Sequence, residues 1–399
     1  MVMEKIDIFT QNKLSKNKIN IGIILNFEAN SWLGGYNYYL NFYNLIKRTN
    51  CKLTVFCNKN NANRIYKDFK LAKIVVTDYF SYPKKFLGIK SKLKILILGR
   101  DLETDKYLND NNIDILVLSG FLGKKSIIKN IPIIWDFQEI INPKNFSLKQ
   151  ILLRKFNNYM CANHSNHVLL GTKHDNKIFK KYYKSSKVNN SYINMPETLV
   201  NFKILKKEKL QKLFKLNLNN FLILPNQFWK HKNHILVLKA LKIIKYRYKK
   251  NILIVSTGQK NDWRHTQNFS EIKKFIKKNK LEKNFKILGV VKHNQLLNLI
   301  FYSKALINPS KAEGESGSVE IAKAFNKYTL LSNIDVHREQ KKNKTFLFNV
   351  KDYKKLAKLI LRVNNLEVPK NINQINYLKL HNNYINRQRN KYIQLLKLK

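Results

Sequence analysis

The stretch KAEGESGSVEIAKAF, Lys311 to Phe325, joins a predicted strand to a predicted helix through a turn of small residues. The apolar run KALINPS that leads into it is typical of a buried strand, and VEIAKAF repeats apolar residues at helical spacing. Open α/β sheets bind ligands at the carboxyl ends of their parallel strands, where turns of this kind lie. The stretch therefore predicts an α/β protein with a ligand site at this turn.

The turn offers groups for two parts of one ligand. Amides at a helix start lack intrahelical partners and carry the positive end of the helix dipole, which suits a phosphate. The predicted amides are those of Ser316, Gly317, Ser318 and Val319. Glu313 and Glu320 bracket these residues, and carboxylates accept hydrogen bonds from sugar hydroxyls. A ligand that carries a phosphate next to sugar hydroxyls is a nucleotide sugar, so the turn predicts a nucleotide-sugar site. The alternative interpretation is an ordinary capped helix with acidic residues in its first turn.

Apolar runs alternate with amphipathic ones along the whole chain, which indicates βα units and parallel sheets. Strands are predicted at residues 19–26, 52–56, 74–76, 93–98, 113–118, 131–135 and 167–170, and then at 221–225, 251–258, 284–291, 304–310 and 328–333. In the second series, helices are predicted at residues 234–247, 270–280, 294–303, 319–325 and 352–363.

A break in this pattern near Pro196 predicts a domain boundary. The natural architecture is two doubly wound domains in tandem with a ligand between them. We expect one domain at residues 1–200, a second at 201–368, and a helical tail at 369–399.

A second candidate stretch, LPNQFWKHKNHILVLKAL at residues 224–241, also runs from a strand into a helix. Lys230 and Lys232 lie in its turn, and lysines there can neutralise a diphosphate. A solvated basic loop is the alternative. His231 and His234 have no third ligand nearby in the sequence, so no metal site is predicted.

Two further stretches lie in the first half of the chain. In WLGGYNYYLNFYNL, residues 32–45, Gly34 and Gly35 could approach a phosphate or an acceptor, although the dinucleotide-binding G-x-G-x-x-G pattern is absent. In IPIIWDFQEIINPKNFS, residues 131–147, Asp136 follows a strand and could orient an acceptor or act as a base. A simple turn and an exposed loop aspartate are the respective alternatives.

The formal net charge of the 399 residues is +51. Three explanations are open: a Lys-, Asn- and Ile-rich composition typical of an AT-rich genome, an anionic membrane surface, or nucleic acid. No RNA-recognition motif or zinc finger is recognisable, and no apolar window is long enough to span a membrane.

The start of the chain lacks a signal-peptide pattern, and Cys51, Cys57 and Cys161 indicate free thiols in a reducing cytoplasm.

The four stretches resemble glycosyltransferase family 4 in their order and spacing. The most specific resemblance is carried by INPSKAEGESGSVEIAKAFNKYTLLSNIDVHREQ, followed by QFWKHKNH, WLGGYNYYLN and WDFQEIINPKNFS. The resemblance implies a GT-B fold, in which two Rossmann-like domains face each other across a cleft. It also implies that the carboxy-terminal domain holds the sugar nucleotide, that the amino-terminal domain holds the acceptor, and that the last helix crosses back to the first domain.

Position by position, the resemblance assigns Lys232 to the diphosphate and Glu313 to the transferred sugar. Gln227 stands where the family usually has arginine, and Lys230 would compensate for the missing charge. Glu320 lies one position before the second glutamate of the family pattern, and one residue turns a helical side chain by about 100°. Gly258, which ends a predicted strand, is also assigned to the nucleotide-sugar site.

The resemblance thus implies a retaining, metal-independent glycosyltransferase with no cofactor besides the donor, and Glu313, Lys232 and Asp136 are the predicted catalytic residues. It would act in cell-surface polysaccharide or lipopolysaccharide synthesis, on a glycan or lipid-linked acceptor, with peripheral contact to the inner face of the cytoplasmic membrane left open. The alternatives are a basic non-catalytic protein that binds membrane or RNA, and an epimerase or phosphorylase on a related scaffold. Alanine at residue 232 or 313 is expected to abolish transfer and to leave the fold intact.

Overall fold

The structure is a computed structural model that describes residues 18–27, 33–81, 88–196, 199, 202–218, 220–262, 264–367 and 374–397. Packing divides the described chain into two compact units. The first lies within Met1–Pro132 and His164–His167, and the second within Ile133–Asn163 and Val168–Lys399. Residues 133–163 therefore pack with the carboxy-terminal half, while the predicted functional domains 1–200, 201–368 and 369–399 stay a prediction.

A five-stranded parallel sheet forms the centre of the first unit. Its strands are β1 (Ile19–Leu25), β2 (Cys51–Cys57), β3 (Lys73–Val76), β4 (Ile115–Val117) and β5 (Lys129–Ile131), and the helices between them are α1 (Leu33–Ile46), α2 (Lys59–Asp68), α3 (Ile89–Leu98) and α4 (Leu102–Asp110). The order β3-β2-β1-β4-β5 places the first strand in the middle, which is the doubly wound arrangement that the sequence predicts.

The predicted strand at residues 93–98 is wrong, because these residues belong to α3. Glycines border this helix on both sides. Gly99 follows it in the left-handed region, with φ of 78°, and its amide donates to the carbonyl of Ile95, which ends the helix. The apolar run KILIL matched a buried strand in composition, yet in α3 only Ser91 and Ile95 are buried.

A three-stranded sheet, β6-β7-β8, begins the second unit. Its elements are β6 (Ile133–Ile134), α5 (Gln138–Ile141), α6 (Leu148–Asn163), β7 (His167–Leu170), α7 (Lys173–Tyr182) and β8 (Asn189–Tyr192). The single strand predicted at residues 131–135 is divided between β5 and β6, because Pro132 has no amide hydrogen for a sheet hydrogen bond.

A six-stranded parallel sheet forms the rest of the second unit. Its strands are β9 (Phe221–Leu224), β10 (Leu253–Thr257), β11 (Phe285–Gly289), β12 (Ala305–Asn308), β13 (Tyr328–Ser332) and β14 (Thr345–Phe348). The helices are α8 (Lys207–Phe214), α9 (His234–Tyr246), α10 (Asn268–Lys278), α11 (His293–Tyr302), α12 (Gly317–Ala324), α13 (Asp335–Gln340), α14 (Tyr353–Asn365) and α15 (Gln374–Lys397).

Strand β9 explains why the apolar runs of this half are continuous. Leu222 and Leu224 enter one hydrophobic core, whereas Phe221 and Ile223 enter another. Successive side chains of a strand point to opposite faces, so a sheet covered on both faces needs an apolar residue at every position. The five strands and five helices predicted in this half are confirmed within a few residues, and β14 and α13 were not predicted.

The order β11-β10-β9-β12-β13-β14 creates a switch point between β9 and β12. From β9 the chain winds outward through β10 and β11, and from β12 it winds in the opposite direction. Loops that leave the carboxyl ends of two such neighbours diverge and leave a crevice for a ligand. The two carboxy-terminal stretches singled out in the sequence are the loops at this switch point.

The predicted helical tail is confirmed for Gln374–Lys397, while residues 369–373 lie outside the described residues. Trp32, in one of the candidate stretches, also lies outside them. Within the described ranges, no helix has both the length and the apolar character required to cross a membrane.

Candidate functional site

A salt bridge between Lys232 and Glu313 lies at the switch point. Lys232 ends a 3₁₀ turn after β9, Glu313 follows β12, and Lys232 Nζ donates to both carboxylate oxygens at 2.7 Å. The two side chains are only 14% and 6% exposed. Burial raises the pKa of the Glu313 carboxyl, but the Lys232 ammonium and further polar neighbours outweigh it and bring the pKa to about 2. The site therefore holds a buried, fully charged ion pair.

Asn308, the last residue of β12, connects the loops around this ion pair. Its Nδ2 donates to Glu313 Oε1 at 3.2 Å and to Ser316 Oγ at 2.9 Å. Its Oδ1 accepts from Asn226 Nδ2 at 3.0 Å and from Ser310 Oγ at 2.7 Å. Because Asn308 is completely buried, these bonds are protected from water and hold the carboxylate in one position.

Asn233 fixes the turn that carries Lys232. It adopts the left-handed region with φ of 58°, which asparagine tolerates better than most residues. Its Nδ2 donates to the carbonyls of Pro309 at 3.1 Å and Val350 at 2.9 Å. The side chain thus binds the loop after β9 to the loop after β12.

Gly258, directly after β10, allows a close backbone approach. Its φ is 132°, and a Cβ atom there would lie 2.4 Å from the carbonyl oxygen of Asn226 and 2.8 Å from Cα of Gln227. Only glycine adopts this conformation without strain and leaves this space empty. Gly258 therefore determines the path of the Gln227 loop.

The start of α12 is tighter than the sequence suggests. The amide of Val319 was predicted to be unpaired, but it donates to the carbonyl of Ser316 at 3.1 Å. Hydrogen bonds between residues three apart are common in the first turn of a helix. Ser316 Oγ also lies 3.3 Å from Ser318 Oγ. The amides of Ser316, Gly317 and Ser318 remain the predicted phosphate-binding groups.

Asp136 lies beside the turn that carries Glu313. A Cβ on Gly314 would lie 3.0 Å from the carbonyl oxygen of Trp135 and 3.5 Å from Cβ of Asp136. The Asp136 carboxylate accepts a hydrogen bond from Arg154 and another, at 3.1 Å, from the amide of Gln138. The carboxylate is thus held in a fixed orientation next to the switch point.

Residues 206–390 match the model of the family Glycosyl transferases group 1. The matched region spans less than half of the chain. It contains the salt bridge, Asn308 and the start of α12. No curated protein matches the sequence.

Over most of its length the chain is similar in fold to proteins of known structure. A glycosyltransferase from Rickettsia africae ESF-5 superposes with a TM-score of 0.68 at 15% identity, over 96% of this chain and 98% of that one. Sucrose-phosphate synthase from Thermosynechococcus elongatus gives 0.68 at 11% identity, over 95% and 99%. Anabaena HepE in complex with UDP and glucose gives 0.66 at 14% identity, over 94% and 99%. The chain has the GT-B fold, and assignment to family 4 stays a prediction.

Glu320, in the first turn of α12, pairs with side chains of its own unit. Glu320 Oε1 accepts from Lys323 Nζ at 2.6 Å and from Gln340 Nε2 at 2.8 Å. Gln340 also donates to the carbonyl of Ser316 at 3.1 Å. The Glu320 carboxylate therefore links α12 to α13 through Gln340. Contact between Glu320 and a ligand stays a prediction.

The other predicted site residues differ in their surroundings. Gln227 is partly exposed, and Lys230 is exposed while its amide donates to Asp262 Oδ2 at 2.8 Å. Gly34 and Gly35 belong to the first unit, within the first turn of α1 rather than before it. Their contact with a phosphate or an acceptor stays a prediction.

Sequence reasoning passed over three polar residues of this domain. Asn308 could have been found, because it ends a strand at the ligand-binding edge. Glu315 accepts from Asn194 Nδ2 and from the Met195 amide, both at 3.4 Å, and burial together with Glu320 raises its pKa. His337 is completely buried on α13, where its Nδ1 lies 2.9 Å from the carbonyl oxygen of Ser332. No sequence spacing indicated either residue.

Asp175, at the start of α7, should make the free energy of unfolding depend on pH. It is 2% exposed, and burial, with Asp136 and Glu339 nearby, raises its pKa to about 7. The unfolded chain releases this proton first, so this group lowers the free energy of unfolding as pH rises from about 4 to 7. Asp175→Asn should therefore raise that free energy by on the order of 4 kcal/mol at pH 8 and leave it nearly unchanged at pH 4.

Urea unfolding from pH 4 to pH 8 measures this difference. The exposed Asp110→Asn variant is the matched control and should follow the wild type at every pH. An Asp175→Asn variant with the same pH profile as the wild type would show that the carboxyl is not protonated in the folded protein.

Proposed function

We propose that this protein is a retaining glycosyltransferase that transfers a sugar from a nucleoside diphosphate to a glycan or lipid-linked acceptor. The observation that carries the proposal is the buried Lys232–Glu313 pair at the switch point of a Glycosyl transferases group 1 domain. A cation for a diphosphate and a carboxylate for sugar hydroxyls stand there side by side. Synthesis of a cell-surface polysaccharide is the proposed role.

Donor binding would exchange the partners of this pair. The diphosphate takes the Lys232 ammonium, and the amides of Ser316, Gly317 and Ser318 add the positive end of α12. Glu313, released from the lysine, accepts hydrogen bonds from the sugar and favours the positive charge that develops on its ring. Asn308 keeps the carboxylate in place during the exchange, because it binds Glu313 independently of Lys232. Gln227, Lys230 and Gly258 are proposed to line the same phosphates.

In the transfer step, the bond between the anomeric carbon and the leaving phosphate oxygen breaks. The acceptor oxygen bonds to that carbon from the same face, and the acceptor proton moves to the leaving phosphate. Charge grows on the diphosphate in the transition state, where Lys232 and the start of α12 stabilise it most. Asp136, fixed by Arg154, is proposed to orient the acceptor.

Ligand-induced melting tests the proposal. UDP or GDP at about 100 times its dissociation constant should stabilise the protein by about 2.7 kcal/mol, which for a domain of this size corresponds to roughly 5–10 °C in Tm. AMP and RNA oligomers at the same concentration should leave Tm unchanged. Stabilisation by RNA and by no nucleoside diphosphate would instead establish a nucleic-acid-binding protein.

A further inference from the structure

The solvent-facing side of α3 is more apolar than the side that packs on the protein. Ile89 is 80% exposed, Leu93 50% and Ile97 78%. These residues are four apart, so they form one stripe along the helix. The buried positions are Ser91 and Ile95, which means that the helix turns most of its apolar surface away from the core.

Lysines accompany this stripe. Lys90 and Lys94, together with Leu93, Ile97 and Leu98, line an open groove of about 360 Å³. Residues 88–100 contain four cations and no acidic residue: Lys90, Lys92, Lys94 and Arg100. Of the acidic residues that follow, Asp101 and Glu103 lie 3.5 and 3.6 Å from Lys94 Nζ.

We propose that α3 is a membrane-docking helix for anionic phospholipid. Ile89, Leu93 and Ile97 enter the boundary between headgroups and acyl chains, and Lys90 and Lys92 contact lipid phosphates. An apolar stripe flanked by lysines is what an interfacial helix requires, because it gains from apolar burial and from charge attraction together. The inference rests on the proposed lipid-linked acceptor for its purpose, although docking itself needs no transfer chemistry.

Helix α10, which is also rich in lysine, is a poorer candidate for membrane docking. Ile272 and Ile276 of α10 lie in the core, and Phe269 and Phe275 pack against it. This helix therefore shows mainly lysines to solvent. A second copy of the chain is a poor occupant of the α3 stripe, because two such helices would bring like charges together. Nucleic acid would engage the lysines but would leave the aliphatic stripe in water.

Cosedimentation of the full chain with vesicles tests the inference. Wild type should sediment with phosphatidylcholine–phosphatidylglycerol vesicles at low salt and less with phosphatidylcholine alone. Ile89→Gln/Leu93→Gln/Ile97→Gln should lower the partition coefficient by about ten-fold or more. Lys90→Gln/Lys92→Gln should lower it by about five-fold for each lysine, and only with anionic vesicles.

The matched control removes three aliphatic side chains elsewhere. Leu71, Ile127 and Val290 are 76%, 62% and 61% exposed, and their triple glutamine variant should bind vesicles like the wild type. Equal loss in the control and α3 variants would overturn the inference, as would loss of RNA binding or of self-association in the α3 variants with vesicle binding unchanged.

Melting with UDP or GDP separates the inference from the proposed function. All variants should keep the nucleotide-induced rise in Tm, which also shows that they fold. If UDP or GDP raises the Tm but the wild type does not bind vesicles, the docking proposal is overturned and the transferase proposal stands. If the wild type binds vesicles but neither nucleotide raises the Tm, the transferase proposal is overturned and the docking proposal stands.

Discussion

Replacing Lys232 with methionine should lower sugar transfer by about 10²–10³-fold or more, since the proposed mechanism uses its ammonium to stabilise the leaving diphosphate. The same change should lower the free energy of unfolding by about 3–5 kcal/mol, because the buried Glu313 carboxylate loses its counter-ion. The expectation from sequence that alanine at residue 232 leaves the fold intact is therefore revised. Burial of the pair makes each residue depend on the other.

A double variant separates the two effects. In Lys232→Met/Glu313→Gln no unpaired charge is buried, so most of the lost stability should return while transfer stays absent. Lys242 is an exposed lysine of α9, so Lys242→Met is the control and should change neither stability nor sugar transfer. The measurements are urea unfolding and turnover of a nucleotide sugar. Normal turnover by Lys232→Met would remove the lysine from the proposed mechanism.

Gly258→Ala should destabilise the protein by about 3 kcal/mol or more and abolish nucleotide-induced melting shifts. The added methyl group meets the carbonyl oxygen of Asn226 at 2.4 Å, and both partners are backbone or fixed to it, so neither can turn away. The loop that carries Gln227 must then move, and the turn with Lys232 moves with it. Urea unfolding and melting with UDP or GDP measure the two consequences.

Gly34→Ala is the matched control. A Cβ there would have no atom of the described residues within 4 Å, and the residue lies in the first turn of α1. Alanine should therefore raise the free energy of unfolding by about 0.5–1 kcal/mol. If Gly34 approaches a ligand as the sequence predicts, the added methyl group should raise the KM of the Gly34→Ala variant. An unchanged KM would contradict that contact. Equal free energies of unfolding for the Gly258→Ala variant and the wild type would contradict the prediction, because the loops after β9 and β10 would then accommodate the methyl group without strain.

The comparison of α3 with β12 shows where sequence patterns succeed and fail. Both KILIL in α3 and ALIN in β12 are short apolar runs, and both were predicted to be strands. Runs of this length fit a buried strand or a helix equally, and the distinction depends on what covers them. Strand β12 lies between β9 and β13 and is buried at every position, whereas α3 stays at the surface.

The amino-acid sequence by itself determined the succession of βα units, the two loops that carry Lys232 and Glu313, and the glycosyltransferase resemblance. These follow from apolar periodicity, turn residues and motif order, which are properties of neighbouring residues. The tertiary structure alone decided that Lys232 and Glu313, 81 residues apart, form a buried ion pair, that Asn308 holds the Glu313 carboxylate, and that α3 exposes its apolar stripe. Burial, pKa and pairing depend on distant segments brought together by the sheet order, and no local pattern encodes that order.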